Sequence, residues 1–150
     1  MPLVLIEPNE RLRRDARPPW RRGPDSGEAS RRRAVKLLCE LAVLASASAL
    51  AVPTVDLCAK RRCSQDVAFA RQTAMYLAHV AFSLSYSEVG RGFRRDRTTA
   101  AHACRLVEDR RDDPVIDAAL DILEAACASA RGSLPAQAMG LIQATRQVRS

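Results

Sequence analysis

The sequence has few aromatic residues and no long uncharged apolar run. Aromatics make up only 4% of the 150 residues, whereas Ala, Leu and Val are plentiful. Because sheets favour aromatic and β-branched side chains, this composition favours packed helices. The one apolar stretch, residues 34–52, is interrupted by Lys36 and Glu40, so its uncharged part is shorter than the roughly 20 residues of a membrane span. It also begins too far from Met1 for an ordinary signal peptide. We therefore predict no membrane partner.

Sequence motifs of common enzymes are also missing. There is no phosphate-binding G-x-x-x-x-G-K-[ST] loop, no zinc-hydrolase motif and no nucleophile elbow. The five cysteines are an odd number without a secretory signal, which favours a reducing cytoplasm. Cys58, Cys63, His102 and Cys104 have spacings that a zinc site can use, but a small buried thiol is the commoner role. We predict no enzyme activity, no catalytic residues, no metal and no cofactor.

Charge is unevenly distributed along the chain. The formal net charge is +7 and the pI about 9.8, which indicates an anionic partner. Residues 60–111 contain 11 Lys and Arg against 5 Asp and Glu, whereas residues 112–150 contain 3 against 5. The basic excess therefore falls on the middle of the chain, as contact with phosphates requires.

The composition divides the chain into three parts. Residues 1–33 are rich in Arg and Pro and too poor in apolar residues to form a core, so we predict a disordered basic arm. The arm serves either as a DNA tether or as a solubilising tail, and Trp20 within it is either a docking residue or a stray aromatic. Residues 34–130 form the predicted helical domain, and residues 131–150 a flexible or weakly helical tail.

Three helices are predicted outside the central motif. The first covers residues 34–52 and ends before Pro53. The second starts at Ser64 and Asp66 and runs to about Phe82. The third starts at Asp113–Pro114 and runs to about Ala130. Their predicted buried faces are Leu37, Leu41, Leu44 and Ala45 in the first; Val67, Ala70, Ala74, Leu77, Ala78 and Ala81 in the second; and Val115, Ala119, Ile122 and Ala126 in the third.

The central motif, Ser85–Val107, is typical of a helix, a tight turn and a second helix. Ser85 followed by Glu88 forms a capping box for the first helix, and Asp96 is placed to cap the second. The helical spacing predicts that the second helix buries four residues, Ala100, Ala103, Cys104 and Val107. Its other face suits the major groove of DNA, but it equally suits the solvated face of an ordinary helical hairpin.

Two motifs of this chain resemble motifs of the C-terminal DNA-binding domain of the bacterial replication initiator DnaA. The family carries Arg-Asp-His-Thr-Thr, two apolar residues and His-Ala-Cys, and this chain has RDRTTAAHAC at residues 95–104. Upstream the family has a basic loop and Arg-Gln-x-Ala-Met-Tyr-Leu. This chain has KRR at residues 60–62 and RQTAMYL at residues 71–77. The resemblance covers about residues 36–125 and implies an all-α helix-turn-helix bundle.

The resemblance also implies the DNA-binding residues. Asp96, Arg97, Thr98 and Thr99 would face base edges in the major groove, and Arg62 of the basic loop would enter the minor groove. The phosphate contacts would come from Arg71, Gln72 and His102. The remaining implied positions at the interface are Ser87 and Arg95.

Three departures from the family pattern lie at this interface. Arg97 stands where the family usually has histidine, and Ser87 stands where proline is frequent. The turn is Arg94–Arg95, without glycine and one residue shorter than is common. These changes predict that the preferred DNA sequence differs, while the fold is kept.

The sequence therefore predicts a protein that binds double-stranded DNA specifically, at a site akin to the initiator's box, and regulates replication or transcription without ATPase activity. The replication initiator or one of its regulators is a second predicted partner, and the predicted location is the nucleoid in the cytoplasm. Two alternatives stay open. One is a helical protein-interaction module that binds DNA only non-specifically. The other is a form anchored to the membrane by residues 34–52, which Glu40 disfavours.

Overall fold

The computed structural model describes residues 26–59 and 64–133, and within them every regular element is an α-helix. The helices are α1 (Ser26–Ala49), α2 (Thr54–Cys58), α3 (Gln65–Val80), α4 (Tyr86–Phe93), α5 (Arg97–Arg110) and α6 (Pro114–Gly132). The predicted all-α class is confirmed. None of the helices in the described ranges combines the length and apolar character needed to cross a bilayer.

Helix α3 is the centre of the bundle and packs against each of the other helices. It begins where the sequence predicts, because the hydroxyl of Ser64 accepts a hydrogen bond from the backbone N–H of Val67 at 3.4 Å. Its predicted inner face is buried, with the exception of Ala81, which is half-buried just beyond the helix. The packed residues of this helix supply both hydrophobic clusters of the core, so α3 sets the positions of the surrounding helices.

Helix α1 differs from its prediction in both its start and its buried face. It begins at Ser26, so the predicted arm of residues 1–33 is wrong over its last eight positions; residues 1–25 lie outside the described part of the chain. Leu37 and Leu44, predicted to be buried, are 41% and 56% exposed, whereas Leu38 and Ala42 are buried. Both sets have helical spacing, and packing against α3 and α4 selects the second.

Helix α6 starts as predicted, but its buried face is also wrong. The carboxylate of Asp113 accepts from the backbone N–H of Val115 at 2.9 Å, and Pro114 occupies the first turn. The helix continues to Gly132, two residues beyond the predicted domain end. The predicted inner residues Val115 and Ile122 are 77% and 70% exposed, and Ala119 and Ala126 are exposed as well. The buried residues are instead Leu120 and Cys127.

The ion pairs of one arginine account for the face that α6 buries. Arg111, in the connection between α5 and α6, forms ion pairs with three carboxylates of α6: Asp117, Asp121 and Glu124. The Nε atom of Arg111 also donates to the hydroxyl of Tyr76 at 3.1 Å, and that hydroxyl donates to Glu124 at 2.8 Å. Burial and the bond to Glu124 raise the pKa of Tyr76 to about 12. Because the acidic side of α6 is held towards α3 and Arg111, its Val115–Ala126 stripe is left facing outwards.

Candidate nucleic-acid interface

Helices α4 and α5 form a helix-turn-helix unit whose first helix has the predicted capping box. The hydroxyl of Ser85 accepts from the backbone N–H of Glu88 at 3.3 Å, and the Glu88 carboxylate accepts from the backbone N–H of Ser85 at 2.9 Å. These reciprocal bonds satisfy backbone donors at the helix start, which would otherwise lack partners. The start of α4 is therefore determined by local sequence.

Glu88 has a second partner that the sequence does not reveal. It is buried, and its Oε1 atom accepts from the Nε of Arg31 at 2.7 Å, across 57 positions of sequence. Burial alone would raise the pKa of Glu88, but bonds from the Ser85 backbone and from Arg31 outweigh it, so the pKa lies below its usual range. The ion pair joins the first turns of α1 to the start of α4. It also ties the first turns of α1, which the sequence assigned to the basic arm, to the helical bundle.

The turn between the two helices depends on Gly90 and Arg94. A Cβ atom at Gly90 would lie 2.7 Å from the carbonyl oxygen of Arg95, so α4 and the start of α5 approach too closely for a side chain. The backbone N–H of Arg95 donates to the Gly90 carbonyl at 2.8 Å. Arg94 has φ 53° and ψ 46°, the left-handed conformation that favours glycine and costs other residues about 1 kcal/mol or more. The turn without glycine is thus closed by an arginine in a strained backbone conformation.

Helix α5 starts at the predicted place but without the predicted capping bond. Asp96 occupies the N-cap position with an extended backbone, yet its exposed side chain makes no hydrogen bond to the first turn. The prediction that its carboxylate caps the helix is therefore wrong. The inner face is as predicted, since Ala100, Ala103, Cys104 and Val107 are all buried. The helix is held by its packed face, and its first turn keeps unpaired backbone N–H groups towards solvent.

The residues predicted to read DNA fall mainly on one exposed face of α5. Arg97, Thr98, Thr99 and His102 are exposed, and Arg95 in the turn is half-buried. Within residues 26–59 and 64–133, none of these side chains forms a hydrogen bond or an ion pair. A helix face that begins with arginine and two threonines is free to meet an outside partner.

The other predicted interface residues are placed on neighbouring elements. Ser87 is exposed in the first turn of α4, and Gln72 is half-buried in α3. Neither side chain forms a hydrogen bond within the part of the chain that the structure describes. Arg62 lies outside the described residues, together with the rest of the segment 60–63.

Arg71 has an intramolecular role that the sequence does not indicate. Its Nε donates to the carbonyl of Leu57 at 2.8 Å, and its Nη2 donates to the carbonyls of Asp56 and Ala59 at 2.9 and 2.8 Å. These carbonyls lie at the C-terminal end of α2, directly before the basic segment 60–62. Arg71 therefore holds the C-terminal end of α2 and Ala59 against α3.

The cysteines of the described part are not arranged as a metal site. Cys104 is buried on the inner face of α5, whereas His102 is exposed on its outer face. Within the described ranges, no three His, Cys, Asp or Glu side chains are grouped as metal ligands. Burial, followed by the charge of Glu108, raises the pKa of the Cys104 thiol to about 12, and burial raises that of Cys39 to about 12 as well. Both behave as packed thiols that stay protonated at neutral pH.

The fold and the exposed face of α5 define a helix-turn-helix protein. Residues 44–107 match the family described as the bacterial DnaA protein helix-turn-helix. The middle of the chain is thus similar to the DnaA helix-turn-helix domain, which confirms the resemblance seen in its motifs. In that family this domain is the DNA-binding part of a protein of replication initiation, separate from the ATPase domain.

Two relatives show the extent of the similarity. The chain is 39% identical over 62 residues to the chromosomal replication initiator protein DnaA of Lachnoclostridium phytofermentans. This alignment covers 40% of this chain and 14% of the relative. It is also similar to a solved structure described as a DNA replication initiation factor, with a TM-score of 0.55 and 29% identity. That alignment covers 68% of this chain and 30% of the solved one. The chain therefore spans a small share of either relative.

Proposed function

We propose that this protein binds double-stranded DNA sequence-specifically through α5, at a site akin to the initiator's box. It acts by occupying such sites in the nucleoid, where it regulates replication initiation or transcription and competes or cooperates with the replication initiator. No ATP hydrolysis is required for this role. The observation that carries the proposal is the exposed face of α5, where Arg97, Thr98 and Thr99 have no side-chain partner among residues 26–59 and 64–133.

The chemistry of this face suits base recognition. Arginine can pair bidentately with guanine in the major groove, and the methyl group of a threonine can pack against that of thymine. The unpaired N–H groups at the start of α5 favour a nearby phosphate. Arg94, Arg95 and Arg105 provide positive charge around the same end and outer face of the helix. We therefore assign base contacts to the first turn of α5 and phosphate contacts to the surrounding basic residues and His102.

Arg71 and the basic segment 60–62 form the second part of the proposed interface. We assign Arg71 a positioning role, because two of its guanidinium nitrogens already bond the carbonyls before that segment. Arg62 is then the residue proposed to enter the minor groove, where A·T-rich DNA concentrates negative potential. Arg62→Ala should weaken binding most on sites with A·T-rich flanks, whereas Arg61→Ala should weaken all sites alike. An Arg62→Ala effect that ignores the flank would overturn this assignment.

Selection of bound duplexes from a random pool tests the main proposal. We expect one enriched motif, and we expect Thr98→Ala or Thr99→Ala to cost about 1–3 kcal/mol on that motif and little on random DNA. Ser129→Ala, an exposed hydroxyl on α6, is the matched control and should change neither affinity. If no motif is enriched, and binding depends only on salt, the chain is a non-specific binder and the interaction-module alternative is favoured.

A further inference from the structure

A basic cleft of about 450 Å³ lies between α1 and α4. The positions that α1 contributes, 28, 31, 32, 35 and 36, follow helical spacing, so one face of that helix lines the cleft. Among the described residues that line it, two are acids, Glu28 and Glu88, and five are cations: Arg31, Arg32, Lys36, Arg91 and Arg94. This excess of positive charge makes the α1–α4 cleft a candidate site for an anion.

Both acids of the α1–α4 cleft already have a cation of their own. The carboxylate of Glu88 accepts from the Nε of Arg31 at 2.7 Å, and that of Glu28 accepts from the Nε of Arg32 at 3.1 Å. These pairs account for two of the five cations. The acids therefore do not offset the charge of the other three.

The three other cations face solvent. Arg91 and Arg94 are exposed, and within residues 26–59 and 64–133 neither side chain forms a hydrogen bond or an ion pair. The ammonium of Lys36 lies 3.9 Å from the carboxylate of Glu40, and both side chains are largely exposed. Such an exposed pair contributes little and exchanges readily for another anion. The α1–α4 cleft therefore has positive charge available to a ligand from outside.

Arg94 reaches this cleft from a strained backbone conformation. Its φ of 53° lies in the left-handed region, which glycine adopts freely and which other side chains adopt only at a cost. Strain of this kind is concentrated at functional positions, because the rest of the structure has to offset it. The conformation of Arg94 is thus a second observation, independent of charge, that indicates a site at this place.

The α1–α4 cleft continues to the start of the proposed recognition helix. A neighbouring hollow shares Lys36, Gly92 and Arg94 with it, and that hollow is also lined by Arg71 and Arg95. The turn residues 94 and 95 directly precede the N-cap of α5. A basic surface therefore extends from α1 across the turn to the first turn of α5.

We propose that the α1–α4 cleft binds phosphates of the DNA backbone beside the groove that α5 enters, an inference that rests on the proposed function. Lys36 and Arg91 supply contacts that the helix-turn-helix motif alone does not indicate, and Arg94 joins them to the start of α5. Phosphate contacts fix the orientation of a protein on the duplex and carry no sequence information. A free polyphosphate offers the same chemistry, but the continuity with α5 favours the backbone of a bound duplex.

The salt dependence of duplex binding by the full chain tests the proposal. Lys36→Gln and Arg91→Gln should each make the slope of log affinity against log salt shallower by about 0.9, because each removes one phosphate contact. The change should appear on the selected motif and on random DNA alike. Arg33→Gln is the matched control, since Arg33 is exposed on another face of α1 and does not line the cleft. Equal slopes for Arg91→Gln and Arg33→Gln would overturn the proposal.

Arg94→Gly separates ligand binding from folding. Glycine relieves the left-handed strain, so the melting temperature should not fall, while the salt slope should again become shallower by about 0.9. A purely structural role of Arg94 would not produce this combination. An unchanged slope would contradict the assignment of the cleft to phosphate.

Single methylphosphonate substitutions in the duplex locate the contact. Neutralising the phosphate held by the α1–α4 cleft should weaken binding of the unmodified chain and should not weaken binding of Arg91→Gln further, because both changes remove the same contact. Thr98→Ala should keep this coupling while it loses the preference for the motif. A failure of base recognition is thereby distinguished from a failure of the cleft.

Inorganic tripolyphosphate distinguishes a free anion from the DNA backbone. If Arg91→Gln abolishes binding of tripolyphosphate while every salt slope on DNA stays that of the unmodified chain, the ligand is a free polyphosphate and the proposal is wrong. We expect instead that tripolyphosphate competes with random DNA for the unmodified chain and competes less for Arg91→Gln.

Discussion

The two ends of α5 present arginines in opposite settings. Just past its C-terminal end, Arg111 binds three carboxylates of α6 and the hydroxyl of Tyr76, and the guanidinium carbon of Arg110 lies 4.6 Å from the ring centroid of Phe69. At the N-terminal end the arginines are those at positions 94, 95 and 97. Within the described ranges none of their side chains forms a hydrogen bond or an ion pair.

This difference separates arginines that hold the fold from arginines available to a ligand. A cluster of like charges repels itself, and the described acids near the start of α5 do not pair with it. A phosphate backbone would remove that repulsion, whereas the Arg111 cluster is already neutralised within the protein. Removing arginines at the two ends should therefore have opposite consequences for stability and for DNA affinity.

The largest expected effect is on stability at the Arg111 end. Arg111→Met should lower the free energy of unfolding by about 2–3 kcal/mol, because it removes the charged hydrogen bonds to the buried Tyr76 and the half-buried Glu124. Urea denaturation measures the loss. DNA affinity at fixed salt, corrected for the folded fraction, should not change. A variant that is as stable as the unmodified chain would show that the cluster does not hold α6.

The next effect tests the geometry of the other end. Gly90→Ala should cost about 2 kcal/mol, because the new Cβ would lie 2.7 Å from the Arg95 carbonyl and the backbone must shift. DNA affinity should fall as well, since the start of α5 moves. Gly132→Ala is the control: its Cβ would meet nothing within 4 Å, so thermal unfolding should show no loss. Equal behaviour of the two variants would contradict the close approach.

A smaller effect concerns the charge pair that joins α1 to α4. Glu88→Gln should lower stability by about 1 kcal/mol at neutral pH, because an ionised acceptor of hydrogen bonds is lost. The folded-state pKa of Glu88 is depressed, so its contribution is present above the ordinary carboxyl pKa and is lost as the pH falls through the folded value. The gap between variant and parent should therefore close in acid. Denaturation at several pH values measures it, and a gap independent of pH would exclude this origin.

The smallest effect on stability is expected at the N-terminal end of α5. Arg97→Gln should change the free energy of unfolding by less than about 0.5 kcal/mol, since the side chain is exposed and has no partner in the part of the chain that the structure describes. If Arg97 contacts a phosphate, the slope of log affinity against log salt should become shallower by about 0.9. If it contacts only a base, affinity should fall on the preferred motif with the slope unchanged. No change in either quantity would remove Arg97 from the interface.

Local signals in the sequence were sufficient for the starts of α3, α4, α5 and α6 and for the inner face of α5. Ser64, Ser85 and Asp113 each bond a backbone N–H of the turn that follows, so their positions could be read without knowing the fold. The Arg-Gln and Arg-Asp motifs also indicated the resemblance to the DnaA family, and the match over residues 44–107 confirms that resemblance. The individual DNA contacts remain predictions.

The sequence by itself determined that the chain is helical, where most helices begin and which family its middle resembles, because caps, periodicity and motifs are local properties. Tertiary structure decided which of two apolar faces α1 and α6 bury, that Arg31 binds Glu88, and that Arg71 bonds the carbonyls before the basic segment. Each of these depends on a partner distant in sequence, and in α1 and α6 both candidate faces have helical spacing. Periodicity cannot choose between two such faces; only the neighbouring helices and the acids bound by Arg111 do so.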